Sequence, residues 1–150
     1  MVIFEAKIAH YWQQCDELVK DYYKTTIASS EVPDLDFAWP TYIKMEENRY
    51  TLLMVALDGA ELAGLSLYLI SPHLHHKDEM LVGLCDMIGV RPSHRNKGIG
   101  RELVKQSEDA LRSRGCTHMI HMYRKIYDVE PLFTKLGFKP IEISYMKELF

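Results

Sequence analysis

One segment constrains the fold more than any other, because an apolar, strand-like run ends in a loop with two glycines that opens directly into a helix-like run. The run MLVGLCDMIGV (80–90) is followed by RPSHRNKGIG and then by RELVKQSEDALRSR. The first N–H groups of a helix lack internal partners and lie at the positive end of the helix dipole, so they favour an anion. Gly98 and Gly100 have no side chain to keep that anion from the backbone. The segment predicts an anion-binding, phosphate-type loop.

The charge of the loop agrees with this interpretation. Four basic residues and no acid occur between positions 91 and 101, namely Arg91, Arg95, Lys97 and Arg101, although the chain of 150 residues has a net charge of -3. That net charge offers no global attraction to nucleic acids or anionic membranes, so direct binding to either is not expected. The alternative interpretation is a tight turn with a solvated basic face. The segment lacks the GxxxxGK followed by Ser or Thr that a Walker loop needs, and it does not match the GxGxxG dinucleotide fingerprint, because position 103 is Leu.

The remaining chain predicts a mixed sheet with helices on both faces. Apolar residues at helical spacing predict helices over 8–23, 41–49, 98–114 and 129–136. Strand-like runs cover 2–7, 51–57, 61–71, 80–90, 117–123 and 141–149, with a hairpin turn at 58–60. Antiparallel strands followed by strand–helix units imply an α/β or α+β fold with a mainly antiparallel sheet. A chain of 150 residues without repeat or linker is expected to form one domain, residues 1–150.

The N-terminal segment and the apolar runs carry information on location. No apolar run reaches the ~20 residues that a membrane-spanning helix needs. Glu5, Lys7 and His10 interrupt what would be the apolar stretch of a secretion signal. We therefore expect a cytoplasmic protein with no membrane partner.

The cysteines and histidines predict no metal site. The three cysteines, Cys15, Cys85 and Cys116, form no CxxC pair and are expected to be reduced, buried thiols. The one dense histidine group, His73, His75 and His76, lies on a predicted loop beside charged residues, where a solvated loop is favoured over metal ligation.

The glycine loop resembles the acetyl-CoA loop of the GNAT superfamily of acyl-CoA-dependent N-acyltransferases, whose pattern is R/Q-x-x-G-x-G/A. The matching residues here are RNKGIG, Arg95 to Gly100. The preceding VRP is similar to the family's V-x-P, and LFTKLGF (132–138) resembles its LYxKLGF segment. The resemblance covers the chain from about residue 50 to the end; the first 50 residues match only in layout.

The resemblance implies acetyl-CoA as cosubstrate and assigns its binding residues. The backbone of Ile88 to Val90 would pair with the pantetheine arm, and the N–H groups from Asn96 to Arg101 would hold the pyrophosphate. Arg95 and Lys97 would supply charge. The fourth and fifth strands would splay apart, so that residues near 86–90 and 119–123 line the thioester slot. The implied binding set is Ile88, Gly89, Val90, Arg95, Asn96, Lys97, Gly98, Ile99, Gly100 and Arg101.

Asp86 is the candidate general base. An amine with a pKa near 10.4 is unprotonated in about one molecule per 2,500 at pH 7, so attack on a thioester benefits from proton removal. Asp86 interrupts an apolar strand where many relatives that the chain resembles carry an acid, and burial would raise its pKa. The alternative is a structural Asp that accepts hydrogen bonds. The N–H of Ile88 would polarise the thioester carbonyl.

The general acid is unassigned. The family's usual Tyr falls on Phe133, which has no proton to donate, and an Asn of the pattern falls on Ile126. A thiol with a pKa near 8.5 leaves reasonably well without help, so catalysis is not excluded. Tyr123, at the end of a predicted strand, is the first candidate, against a role in packing, and His121 is a weaker one.

The acceptor is predicted only by class. Glu31, Asp34 and Asp36 lie among Phe37, Trp39 and Tyr42 in the loop that helps form the acceptor site of relatives it resembles. Acids with aromatics suit a cationic amine, although an ordinary anchored loop explains them equally well.

The chain is therefore interpreted as an N-acetyltransferase that moves an acetyl group directly from acetyl-CoA to a primary amine, on a small cationic molecule or on a protein lysine or N-terminus. A non-catalytic acyl-CoA-binding module is the alternative. Nothing in the residues chooses between monomer and homodimer or selects the acyl-chain length.

Overall fold

A five-stranded sheet forms the centre of the protein in a computed structural model, which describes residues 1–26, 35–76, 78–123 and 129–142 together with 147 and 149. The strands are β1 (Val2–Ala6), β2 (Thr51–Asp58), β3 (Glu61–Pro72), β4 (Leu81–Val90) and β5 (His118–His121). They are ordered β1-β2-β3-β4-β5 across the sheet. The first four pair antiparallel and β5 pairs parallel to β4. The predicted mixed, mainly antiparallel sheet is confirmed.

Helices lie on both faces of this sheet. They are α1 (Ile8–Thr26), α2 (Trp39–Glu47), α3 (Ile99–Ser113) and α4 (Glu130–Lys135), with a short 3-10 turn over Pro92–His94. The Nε1–H of Trp39 donates to Asp16 Oδ1 at 2.8 Å and joins α2 to α1. The carboxylate of Glu46 accepts from the N–H of Ile8 at 3.0 Å, which caps the start of α1.

The sheet separates two apolar clusters. One lies against α1 and α2 and is built from Ala6, Ile8, Cys15, Leu18, Trp39, Leu53, Val55, Leu62, Leu65, Leu67 and Met87. The other lies against α3 and is built from Leu52, Met54, Ala56, Ala63, Tyr68, Ile70, Cys85, Ile99, Leu103 and Leu111. The alternation along β2 and β3 divides their apolar residues between the two faces, as a strand covered on both sides requires.

Several element boundaries differ from the predictions. The second helix begins at Trp39 rather than 41, because Pro40 occupies its first turn, where a missing N–H costs nothing. The fifth strand ends at His121, two residues before the predicted end. Residues 141 and 142 are not in a strand, and most of the predicted closing strand, 141–149, lies outside the described residues. The predicted hairpin turn is confirmed, with Gly59 at φ 62°.

Gly83 supports a prediction about the packing of α3 on β4. A Cβ at this position would lie 2.6 Å from Cδ1 and 2.7 Å from Cδ2 of Leu111. Overpacking of this kind costs about 1–3 kcal/mol, so Gly83→Ala is expected to lower the free energy of unfolding by that amount. Chemical denaturation of Gly83→Ala, Leu111→Ala and the double variant measures it. The Gly83→Ala penalty should shrink when Leu111 is truncated; an unchanged penalty would contradict this packing.

Candidate functional site

The strands β4 and β5, the last two in the sheet order, pair over only part of their length. Their pairing runs from Val82 with His118 to Cys85 with His121 and then ends. Residues 87–90 of β4 continue to pair with β3 on one side but have no partner strand on the other among the described residues. Ile88, Gly89 and Val90 thus offer backbone groups along an open edge. This opening fits the predicted splay.

A β-bulge places Asp86 at the opening. Leu67 pairs with Met87 and Tyr68 pairs with Cys85, so Asp86 is the extra residue between them. The bulge interrupts the alternation, since Cys85 packs with the α3 cluster and Met87 with the cluster of α1 and α2. Asp86 is exposed, and the expectation that it is buried in an apolar strand is wrong. A charged residue is tolerated here because the bulge removes it from the packed pleat.

Tyr42 of α2 holds the Asp86 carboxylate. Its hydroxyl donates to Asp86 Oδ2 at 2.6 Å. Burial, together with this carboxylate, raises the pKa of Tyr42 above its ordinary range, so the phenol stays protonated and remains a donor. Oδ1 of Asp86 has no hydrogen-bond partner among the described residues. The sequence marked Tyr42 only as an aromatic of the acceptor loop and carried no signal for this bond, which joins residues far apart in the chain.

The glycine loop leaves the start of α3 open. Gly98 is the N-cap residue at φ 79°, and no side chain caps the helix. Asn96 also has a positive φ, 61°. Within the described ranges no atom lies within 4 Å of a Cβ built on Gly98, and one built on Gly100 would meet Val90 Cγ2 at 3.8 Å. The N–H groups that begin α3 therefore face open space, as an anion site requires.

The basic residues of the loop divide into two pairs. The Nε–H of Arg91 donates to the Leu62 carbonyl at 2.6 Å. Arg95 donates from Nε to the Val90 carbonyl at 3.2 Å, and its guanidinium lies 5.3 Å from the centre of the Tyr22 ring. These two side chains brace the loop. Lys97 and Arg101 are exposed and form no ion pair within the described chain, so they are its free cations.

His94 fastens the loop to the β2–β3 hairpin. It is buried, with Nδ1 2.9 Å from Ser93 Oγ and Nε2 3.2 Å from Asp58 Oδ2. The hairpin turn thus sets the position from which α3 starts.

The second candidate catalytic residue, Tyr123, lies two residues beyond β5. It is exposed, and its ring stacks parallel on Phe133 of α4 with centroids 5.7 Å apart. Ile126 lies outside the described residues.

His121, the last residue of β5, packs among aromatic rings. Its imidazole centroid is 4.9 Å from that of Phe133 and 5.1 Å from that of Phe138. Its Nε2 lies 2.9 Å from the hydroxyl of the fully buried Tyr68. Burial lowers the pKa of His121 to about 4, so the imidazole is neutral at physiological pH.

A groove on the α2 side of the sheet is the candidate acceptor site. It has a volume of about 350 Å³ and is lined by Asp36, Phe37, Ala38, Thr41, Tyr42, Met45 and Leu69. A larger groove of about 600 Å³ between α1 and α2 shares Asp36 and Phe37 with it. Trp39 of the predicted acceptor loop is buried. Glu31 and Asp34 lie outside the described residues.

The thiols lie apart from this constellation. Burial raises the pKa of Cys15 and of Cys85 to about 12, so neither thiol is a competent nucleophile at neutral pH. Cys116 is half-buried rather than buried as predicted.

The rings of His73 and His75, and those of His73 and His76, contact each other. Within the described ranges no group of His, Cys, Asp or Glu is arranged to hold a metal ion. No helix in the described part of the chain could cross a membrane.

Comparison with known proteins assigns the family. Several solved structures match over 99% of this chain. They include an acetyltransferase from Trypanosoma brucei, with 20% identity, 99% of that chain covered and a TM-score of 0.73. A ribosomal-protein-alanine N-acetyltransferase from Brucella melitensis biovar Abortus 2308 has 17% identity, 100% coverage and a TM-score of 0.72. An aminoglycoside acetyltransferase from an uncultured soil metagenomic sample, in complex with sisomicin, has 14% identity, 96% coverage and a TM-score of 0.75.

At these identities the solved structures establish a shared fold. Comparison with curated proteins finds no match. The sequence model of the acetyltransferase (GNAT) family matches residues 12–138, which include β2 to β5, the glycine loop and α3. The chain belongs to the GNAT acetyltransferase family.

Proposed function

We propose that the protein is an acetyl-CoA-dependent N-acetyltransferase that acts on a primary amine. One observation carries the proposal: the uncapped start of α3, with Gly98 at a positive φ, adjoins the unpaired edge of β4. A diphosphate and an extended amide-containing arm need these two features side by side. Family membership supports acetyl transfer as the reaction.

The residues of the opening fit acetyl-CoA. The N–H groups from Asn96 to Arg101 would hold the pyrophosphate in the open space before Gly98, with Lys97 and Arg101 as exposed cations. Ile88, Gly89 and Val90 would pair with the pantetheine arm as an added strand, since β5 leaves that edge free. Arg95 would act by holding Val90 and the loop in place. Ile99 is buried and anchors the helix start.

These positions support direct transfer. The amine nitrogen attacks the thioester carbonyl, the C–N bond forms, the C–S bond breaks, and the electron pair leaves on sulfur. Asp86 takes the ammonium proton through Oδ1, while Tyr42 holds Oδ2. The N–H of Ile88, two residues beyond the bulge, would stabilise the developing oxyanion. Tyr123 is a candidate proton donor to the thiolate, because its ring stacks on Phe133, the residue that stands where the family usually has its Tyr. The raised pKa of both buried thiols argues against a cysteine-bound intermediate.

The acceptor groove favours a cationic amine. Asp36 supplies negative charge, and Phe37 and Tyr42 supply aromatic surface. The similar solved structures include one named an aminoglycoside acetyltransferase and one named a ribosomal-protein-alanine N-acetyltransferase, so both small amines and protein amines are candidate acceptors.

A cytoplasmic location is part of the proposal. The three cysteines are free thiols, as is usual in reducing compartments.

A non-catalytic acyl-CoA-binding module is the second candidate, favoured by Phe133, whose ring has no proton to donate. Turnover separates the two. We expect saturable binding of acetyl-CoA by calorimetry, and release of free CoA thiol that depends on an added amine. The acceptor panel should include polyamines, aminoglycosides and peptides with free lysine or N-terminal amines. Binding without turnover on any acceptor would favour the module, and a folded protein that does not bind acetyl-CoA would overturn both.

A further inference from the structure

A second polar pair lies at the point where β4 and β5 separate. His121 pairs with Cys85, and beyond these residues neither strand contacts the other through the sheet. Nε2 of His121 lies 2.9 Å from the Tyr68 hydroxyl oxygen, on the α3 side of the sheet. This pair is distinct from Asp86 and Tyr42, because Tyr42 belongs to α2 on the opposite face.

We propose that His121 is a catalytic residue whose Nδ1–H donates a hydrogen bond to the sulfur of the departing CoA thiolate, with Tyr68 as the positioning residue that fixes the ring. The proposal rests on the proposed function, since it concerns the leaving group of that reaction.

The hydrogen bond to Tyr68 determines which nitrogen carries the proton. Burial keeps the imidazole neutral, so it bears one N–H, on either Nδ1 or Nε2. Burial also raises the pKa of Tyr68, so its hydroxyl keeps its proton, and in the proposed arrangement this hydroxyl donates to Nε2. The imidazole proton is then on Nδ1. Among the described residues that atom has no hydrogen-bond partner.

The surroundings favour a strong hydrogen bond from this nitrogen. Phe133 and Phe138 contact the imidazole, with centroids about 5 Å away, and limit water around it. A hydrogen bond to a charged acceptor is stronger in such a low-dielectric setting. The neighbouring Cys85 thiol contacts the Met87 carbonyl at 3.5 Å and does not compete for His121.

The step balances without proton transfer from the ring. As the C–S bond breaks, the electron pair stays on sulfur and the Nδ1–H stabilises the thiolate. The thiolate takes its proton after it leaves, from the candidate donor Tyr123 or from water, which its pKa of about 8.5 permits near neutral pH. Because the imidazole is neutral from about pH 6 upward, His121 adds no titration to the rate profile at or above that pH.

The dependence on the leaving group tests the proposal. His121→Phe keeps a ring among Phe133 and Phe138 but removes the donor, and we expect kcat with acetyl-CoA to fall about 10- to 100-fold. An aryl thioester such as 4-nitrophenyl thioacetate releases a far more acidic thiol that needs little stabilisation. With that donor the loss should shrink to less than about threefold. His118→Phe, the same change at an exposed position of β5, is the control and should leave both rates unchanged.

If kcat of His121→Phe fell equally with both thioesters, the variant would have a general structural defect, and the proposal would be overturned. It would also be overturned if kcat with acetyl-CoA did not fall. Nitrogen-15 NMR of histidine-labelled wild-type protein gives a readout independent of any variant. Protonated Nδ1 with unprotonated Nε2 is expected for His121, and the reverse tautomer would overturn the proposal. Tyr68→Phe should reduce kcat but not raise KM, and should increase the Nε2–H population. A wild-type protein that turns over no amine would instead refute the proposed function.

Discussion

Replacing Gly98 by Val is expected to weaken acetyl-CoA binding about 100-fold. The backbone at this position has φ 79°, which a β-branched residue adopts only at high cost, and the added side chain enters the open space before α3. Backbone N–H groups there would lose hydrogen bonds to a charged phosphate, and each such bond is worth about 1.5–3 kcal/mol. Calorimetric titration of both proteins with acetyl-CoA measures the change in Kd.

Gly115→Val is the matched control for this variant. Gly115 also has a left-handed backbone conformation, with φ 85°. A Cβ built there would meet no atom of the described residues within 4 Å. It lies just after the end of α3 rather than before its start, so the same strain falls outside the anion site. Both variants should lose similar stability, about 1–2 kcal/mol, but only Gly98→Val should lose affinity. An equal loss of affinity in the two would mean that strain, and not the loop, governs binding.

The fold was predictable because its signals are local. Apolar periodicity marked every strand of the described sheet, and Gly59 and Gly115 marked the turns that follow β2 and α3. Boundaries were less predictable, since they depend on contacts between distant segments. The strand β5 ends at His121 because β4 diverges there, and no residue of THMIHMY signals that divergence.

Only the part of the site that lies within one continuous segment of the chain was predictable. The glycine loop lies within a single stretch, so its geometry followed from the order of its residues. The roles of the loop's cations depend on partners elsewhere in the chain. Arg91 donates a hydrogen bond to the Leu62 carbonyl, and the residues near Arg91 in the sequence do not predict this contact. The burial of Asp86 was wrongly predicted, because a bulge depends on the register with β3. The Asp86–Tyr42 and His121–Tyr68 pairs each join residues remote in sequence.

Asp86→Asn is expected to lower kcat about 100- to 1000-fold with little change in acetyl-CoA affinity. The amide keeps the size of the carboxylate and an oxygen that can accept from Tyr42, but it takes no proton from the amine. The variant must rely on acceptor molecules that are already unprotonated in solution. Its rate should therefore rise about tenfold per pH unit from pH 7 toward the amine pKa near 10. Initial rates across that range, beside calorimetry with acetyl-CoA, measure both effects.

Two further variants decide what such a loss means. Asp109→Asn removes an exposed carboxylate from α3 and should leave kcat unchanged, which controls for a general loss of negative charge. Tyr42→Phe keeps Asp86 but frees its Oδ2, so kcat should fall only about tenfold while KM for acetyl-CoA stays constant. If Asp86→Asn retained the full rate, the amine would lose its proton to another group or to water, and the bulge would serve only to open the sheet. A larger loss for Tyr42→Phe than for Asp86→Asn would make the phenol, and not the carboxylate, the group on which amine deprotonation depends.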